Sequence, residues 1–124
     1  MNDATRITYC FSAAIVSVTE EGGVLTVGFA STDETEYLLL QRDLNCGGSD
    51  DLGVYVELND QINSAYSLVK QCVIAPTELI VLLAQPLLNS TRIVLDLDAI
   101  GDDNNFVSGL CKIFGDLNLL AIRP

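Results

Sequence analysis

A chain of 124 residues with 17 acidic side chains, 6 basic ones, no histidine and a formal charge of -11 repels nucleic acid and anionic membranes and attracts basic partners. The missing imidazole removes the commonest general base from any active site, so composition favours a binding protein over an enzyme. With 49% apolar and 19% charged residues, the chain has enough hydrophobic surface to fold, as one domain over residues 1–124.

The start, Met1-Asn2-Asp3-Ala4, lacks the basic segment and long apolar run of a signal peptide. The longest apolar run, Leu79 to Ala84, falls far short of the roughly 20 residues of a membrane span. The expected compartment is the cytosol. Period-two alternation then dominates. Val16 and Val18 share one face of a strand from Ala14 to Thr19, and Glu20-Glu21-Gly22-Gly23 turns the chain, because glycine reaches the positive φ that hairpins need. Leu25, Val27 and Phe29 alternate with Thr26 and Gly28 to complete a hairpin. Ser31 to Glu34 is a turn, Tyr37 to Arg42 a third strand and Leu44 to Asp51 a glycine-rich loop. Val54, Val56 and Leu58 mark a fourth strand, and Asn59 to Ser64 a polar connection. Ser67 to Ile74 and Glu78 to Ala84 give two more strands around Ala75-Pro76-Thr77, and Ile93, Leu95 and Leu97 a seventh.

Phe106, Leu110, Ile113 and Phe114 follow helical spacing, with Asp102 or Asp103 placed to cap the first turn and Gly115 just past the end. Leu117 to Ile122 is a short last strand. The expected fold class is α+β: a mainly antiparallel β-meander sheet of seven or eight strands with one C-terminal helix packed on it. Leu68 to Ile74 and Leu79 to Leu83 are apolar on both faces. One helix cannot cover such a sheet, so either the sheet curls on itself or a second chain covers it, making a homodimer.

Chemical signatures are few. Cys10, Cys46, Cys72 and Cys111 are dispersed, without the paired spacing of a zinc site or a histidine to activate a thiolate, and read as free thiols of a reducing compartment. Asp96, Asp98 and Gly101 begin like a calcium loop with Asp102 beside them, but Ile100 and Val107 stand where oxygen ligands belong. A strand end followed by a helix cap explains the segment better, so no metal or other cofactor is expected. No phosphate-binding, dinucleotide or nucleophile-elbow motif occurs, and the basic residues are scattered.

The acids are clustered. Asp33, Glu34, Glu36, Asp43, Asp50, Asp51, Glu57 and Asp60 face only Arg42 as a base, so residues 33–60 carry -7 of the -11, eight acids less one arginine. Tyr37, Tyr55, Tyr66, Gln41, Asn59, Gln61 and Asn63 share that region, and phenols and amides beside carboxylates are good recognition chemistry. Alternation puts Tyr55, Glu57 and Asn59 on one side of their strand.

Tyr37-Leu-Leu-Leu-Gln-Arg42, Gly53-Val-Tyr-Val-Glu-Leu-Asn-Asp-Gln61, Tyr66 and Lys112-Ile-Phe-Gly115 resemble the immunity protein 10 family, over a span from about Ala13 to Gly115. Ser67 stands where a glycine is expected after the tyrosine, and the loop 43–51 is distinctive. The resemblance implies a non-catalytic inhibitor that binds a cognate bacterial toxin, in many cases a basic nuclease, and occludes its active site. The expected partner surface comprises Asp50, Asp51, Tyr55, Glu57, Asp60, Gln61 and Tyr66. The alternatives are a dimeric β-sheet interaction domain with no toxin partner, and a small-molecule binder or hydrolase built on paired carboxylates.

Overall fold

The computed structural model describes residues 7–45, 51–101 and 103–124. Among the described residues, ten strands and one α-helix follow in order: β1 (Thr8–Ser12), β2 (Ile15–Glu21), β3 (Val24–Ala30), β4 (Tyr37–Asp43), β5 (Tyr55–Leu58), β6 (Asp60–Tyr66), β7 (Val69–Ile74), β8 (Glu78–Leu87), β9 (Ser90–Asp96), α1 (Asn105–Phe114) and β10 (Leu120–Ile122). They form two five-stranded sheets, ordered β1-β9-β8-β7-β10 and β2-β3-β4-β5-β6. The α+β class is as expected, but the single meander of seven or eight strands is not. Period two reveals a strand; it does not reveal its neighbours.

The second sheet is an uninterrupted antiparallel meander. Val27 lies between Val18 and Leu40, and Val56 continues that row. Leu25, Val27, Phe29, Leu38, Leu40, Val56 and Leu58 are buried on one face while intervening residues point outward. The first sheet is mixed. Its inner strands pair antiparallel, but β1 joins β9 and β10 joins β7 in parallel.

Apolarity on both faces of β7 and β8 now has a physical account. The inner set, Cys72, Leu79, Val81, Ile93 and Leu95, belongs to one continuous core shared with the second sheet and α1. The outer set, Val73, Ile80 and Val94, makes a small separate cluster with Leu82 and Ala121. On the inner face the covering layer is therefore the chain's own second sheet with α1, while the outer cluster is confined to the first sheet itself. Each fully buried leucine or phenylalanine contributes about 1.5–3 kcal/mol through this burial.

Helix α1 lies over β2, β3 and β4 and touches β10. Phe106 meets Phe29 edge-on with ring centroids 5.3 Å apart, a favoured aromatic geometry. One turn further on, Gly109 lets the helix come close to Val27 and Val18. The N-cap is Asn104, without a side-chain capping bond. The expected cap therefore shifts from Asp103, and Asp102 lies outside the described residues. Gly115 ends the helix as expected, its amide donating to the Cys111 carbonyl at 2.8 Å. No helix among the described residues is long and apolar enough to cross a membrane.

Candidate functional site

The outer face of the second sheet gathers the expected chemistry. Register places Gln41, Tyr55 and Tyr66 in one row across β4, β5 and β6, and Leu39, Glu57 and Ser64 in the next. Alternation sends these side chains away from the core, because Leu38, Leu40, Val56 and Leu58 take the buried positions between them.

Glu57 is the centre of this face. One carboxylate oxygen accepts the Tyr55 hydroxyl at 2.5 Å and the other accepts the Tyr37 hydroxyl. Two phenols therefore fix the carboxylate plane, and charge-assisted hydrogen bonds of this kind are the stronger ones. Burial, reinforced by the bond to Glu57, pushes the Tyr37 phenol up to about 12. The Tyr55 phenol is raised chiefly by its bond to the same carboxylate. Both stay neutral donors at physiological pH. The Tyr55 and Tyr66 rings stack at a tilt, with centroids 5.1 Å apart. Tyr66 remains half exposed, which leaves a ring beside a held negative charge.

A second network ties this face to the first sheet. Tyr9, on β1, donates to Glu36 at 2.6 Å and accepts from the Asn59 amide at 2.6 Å. Asn59 also accepts the Tyr37 amide at 2.8 Å through its side chain and donates its backbone N–H to the Tyr37 carbonyl at 3.0 Å. It holds a φ of 65°, which asparagine tolerates better than most residues. Burial is the main reason the Tyr9 phenol is raised, followed by its bond to Glu36.

The expected surface residues divide accordingly. Tyr55, Glu57 and Tyr66 come together. Asp60 and Gln61 sit beside them, exposed, where the β5–β6 register jumps from Ser64 to Asp60. The Asp60 carboxylate accepts the Ile62 amide at 3.1 Å, and its charge bears on Tyr37. Asp51 is turned to a structural use. It pairs with Arg42 at 2.7 Å and accepts the Gly53 amide at 2.9 Å. The bond from Arg42, and then that from Gly53, holds its carboxyl below the usual range. Arg42 also donates to the Ile113 carbonyl at 2.9 Å, clamping the end of α1 to β4. Asp50 lies outside the described residues.

Tyr37 and Asn59 belong to the acidic stretch but not to the expected surface, and the fold brings both to it. The alternation Tyr37-Leu38-Leu39-Leu40-Gln41 is the signal that puts Tyr37 on the same face as Glu57. Tyr9 and Glu36 carry no such signal, because their contact joins positions 27 apart across the two sheets. In the aspartate-rich segment, Asp96 accepts the Asp98 amide at 2.9 Å, and Asp98–Ile100 forms a short 3-10 turn. The described residues contain no cluster of three acidic or cysteine side chains arranged to hold a metal ion.

Fold and face define an acidic two-sheet α+β protein with a prearranged carboxylate–phenol surface. Residues 11–99 match the family model Immunity protein 10, and the chain belongs to that family. The matched segment contains the whole meander and both tyrosine-bearing motifs, while the motif at Lys112–Gly115 lies beyond it. No curated protein and no solved structure matches the chain.

Proposed function

We propose that this immunity protein binds and neutralises a cognate bacterial toxin domain without chemistry of its own, using the outer face of β4, β5 and β6 to occlude the toxin's active site. The observation that carries this reading is Glu57, a carboxylate held by two phenols in the most acidic part of the chain. A lysine or arginine of a basic toxin can bond to it without the cost of ordering a free side chain. Exposed Tyr66, Asp60 and Gln61 form the rim. Asp51 contributes by shaping the neighbouring recess of about 160 Å³, which Arg42, Leu52 and Tyr66 also line. The surrounding negative charge speeds encounter.

The test is affinity capture from the native host with mass spectrometric identification of the bound protein, followed by titration of that protein. Glu57→Gln and Asp60→Asn together should weaken binding by about 10- to 100-fold, and rising salt should weaken the parent complex. Unchanged affinity in the double variant removes this face from the interface. Failure of the host to yield any toxin removes the function.

A further inference from the structure

Strand β2 is a sheet edge of an unusual kind. Of its seven residues, only Val16 is even half-buried, and the other six are exposed. The remaining edges are blunted: β10 has three residues, β1 has five, and β6 is interrupted by its register jump. Strand β2 pairs with β3 over its whole length without a bulge. It has no proline and no lysine, the usual blocks to edge pairing, and its two charges sit together at one end, Glu20-Glu21.

The direction of its free groups follows from the neighbouring ladder. Ser31 donates its amide to the Glu36 carbonyl at 2.9 Å, and Leu44 donates to the Gly23 carbonyl at 2.8 Å. Odd-numbered β3 residues therefore bond toward β4, and even-numbered ones toward β2. Their β2 partners are Ile15, Ser17, Thr19 and Glu21. Val16, Val18 and Glu20 are left with amides and carbonyls pointing outward, and among the described residues nothing bonds to them. We propose that β2 is a dimerisation strand: a second copy pairs with it antiparallel, Val18 against Val18, joining two meanders into one ten-stranded sheet.

That register is self-complementary. The outward set is symmetric about Val18, so Val16 of one copy bonds Glu20 of the other and all the free groups find partners. The exposed side chain of Val18 meets its own twin. The two Glu20 residues stand about 13 Å apart along the strands, beyond the screening distance of about 8 Å at physiological salt. Each Glu20 lies opposite Val16 of the second copy. Val16 pairs with Phe29, and Phe29 packs on Phe106 in the first turn of α1, a turn with no acidic residue of its own. A negative charge is favoured at that end of a helix. The twofold axis stands perpendicular to the sheet, so both Glu57 faces look the same way and a dimer offers two toxin sites on one surface.

Sedimentation equilibrium under reducing conditions reads this directly. The parent chain should dimerise, and the dissociation constant should fall severalfold as NaCl rises from about 0.05 to 0.5 M, because salt screens the repulsion between two acidic copies. Toxin binding should show the opposite salt trend. Val18→Pro removes an outward amide that the β3 ladder does not use, and should give a monomer. Val18→Ala keeps the amide and should still dimerise. Should Val18→Pro fail to fold, hydrogen exchange on the parent decides: the Val16, Val18 and Glu20 amides should slow as concentration rises through the transition. A concentration-independent monomer mass across this salt range overturns the proposal, as does a dimer in which those three amides exchange freely. Neither result touches the toxin-binding reading, which Glu57→Gln tests separately.

Discussion

Gly109 is the position where helix propensity and packing make opposite demands, so its replacement tests the packing account quantitatively. In an exposed helix, glycine to alanine stabilises by up to about 1 kcal/mol. Here an added Cβ would lie 2.8 Å from Val27 Cγ2 and 3.4 Å from Val18 Cγ1, inside the roughly 3.5–4.0 Å of comfortable carbon contact. Val27 is fully buried between Val18 and Leu40, and its β-branched side chain has few rotamers to escape into. Overpacking of this sort costs about 1–3 kcal/mol. Set against the propensity gain, Gly109→Ala should destabilise the protein by roughly 1–2 kcal/mol. Val27→Ala alone should cost about 2 kcal/mol through lost burial and a cavity. The double variant places the new methyl in the vacated space, so its loss should fall short of the sum by at least about 1 kcal/mol. Urea denaturation of the four proteins supplies the cycle. A Gly109→Ala protein more stable than the parent, or strict additivity, would refute the close approach of α1 to β3.

The Arg42–Asp51 pair predicts an acid limb. A carboxyl depressed in the folded state contributes stability above its unfolded value of about 3.9 and loses it as pH falls through the folded value. Arg42→Gln should therefore move Asp51 up toward the ordinary range in an NMR titration, the Gly53 amide still holding it partly down, and remove part of the stability loss below about pH 4; an unmoved Asp51 would deny the pairing. Thiol reactivity should separate by position. Cys10 and Cys111 are exposed, whereas burial pushes the Cys72 thiol up to about 12. Brief alkylation of the native protein followed by mass spectrometry should mark Cys10 and Cys111 and leave Cys72 intact until unfolding. Equal labelling of Cys72 would contradict its place in the core.

Strands with one wet face were legible because each alternates over local positions. The β2–β3 hairpin and the carboxylate–tyrosine row of β5 follow from spacing alone. The helix was legible through Phe106, Leu110, Ile113 and Phe114. Partner choice was not. Strand β1 pairs with β9 in parallel across more than eighty positions, Thr8 beside Arg92, and no local pattern encodes such a contact. The polar run after Asn59 reads as a connection because its register jump puts consecutive polar residues outward. Asp51 looks like one more surface acid. Its pairing with Arg42 depends on where the chain returns after Asp43, which spacing does not disclose. Ser67 is a different case. It adopts a φ of 56°, so the position does demand the conformation for which glycine was expected. The serine hydroxyl donates to the Leu52 carbonyl at 2.7 Å, which helps offset the strain.

The unequal origin of the two sheets sets an order of assembly. Residues 15–66 contain every strand of the meander, with each strand bonded to the next. Such local pairing is fast and can proceed while the chain is still being synthesised. The mixed sheet draws on residues 8–12, 69–96 and 120–122, and it closes only when β10 slides in beside β7. The tyrosine-bearing face thus forms early on a layer whose apolar side is still open. The mixed sheet that covers it gains its last paired strand only after the ribosome has delivered Ile122, which seats beside Ile74 of β7.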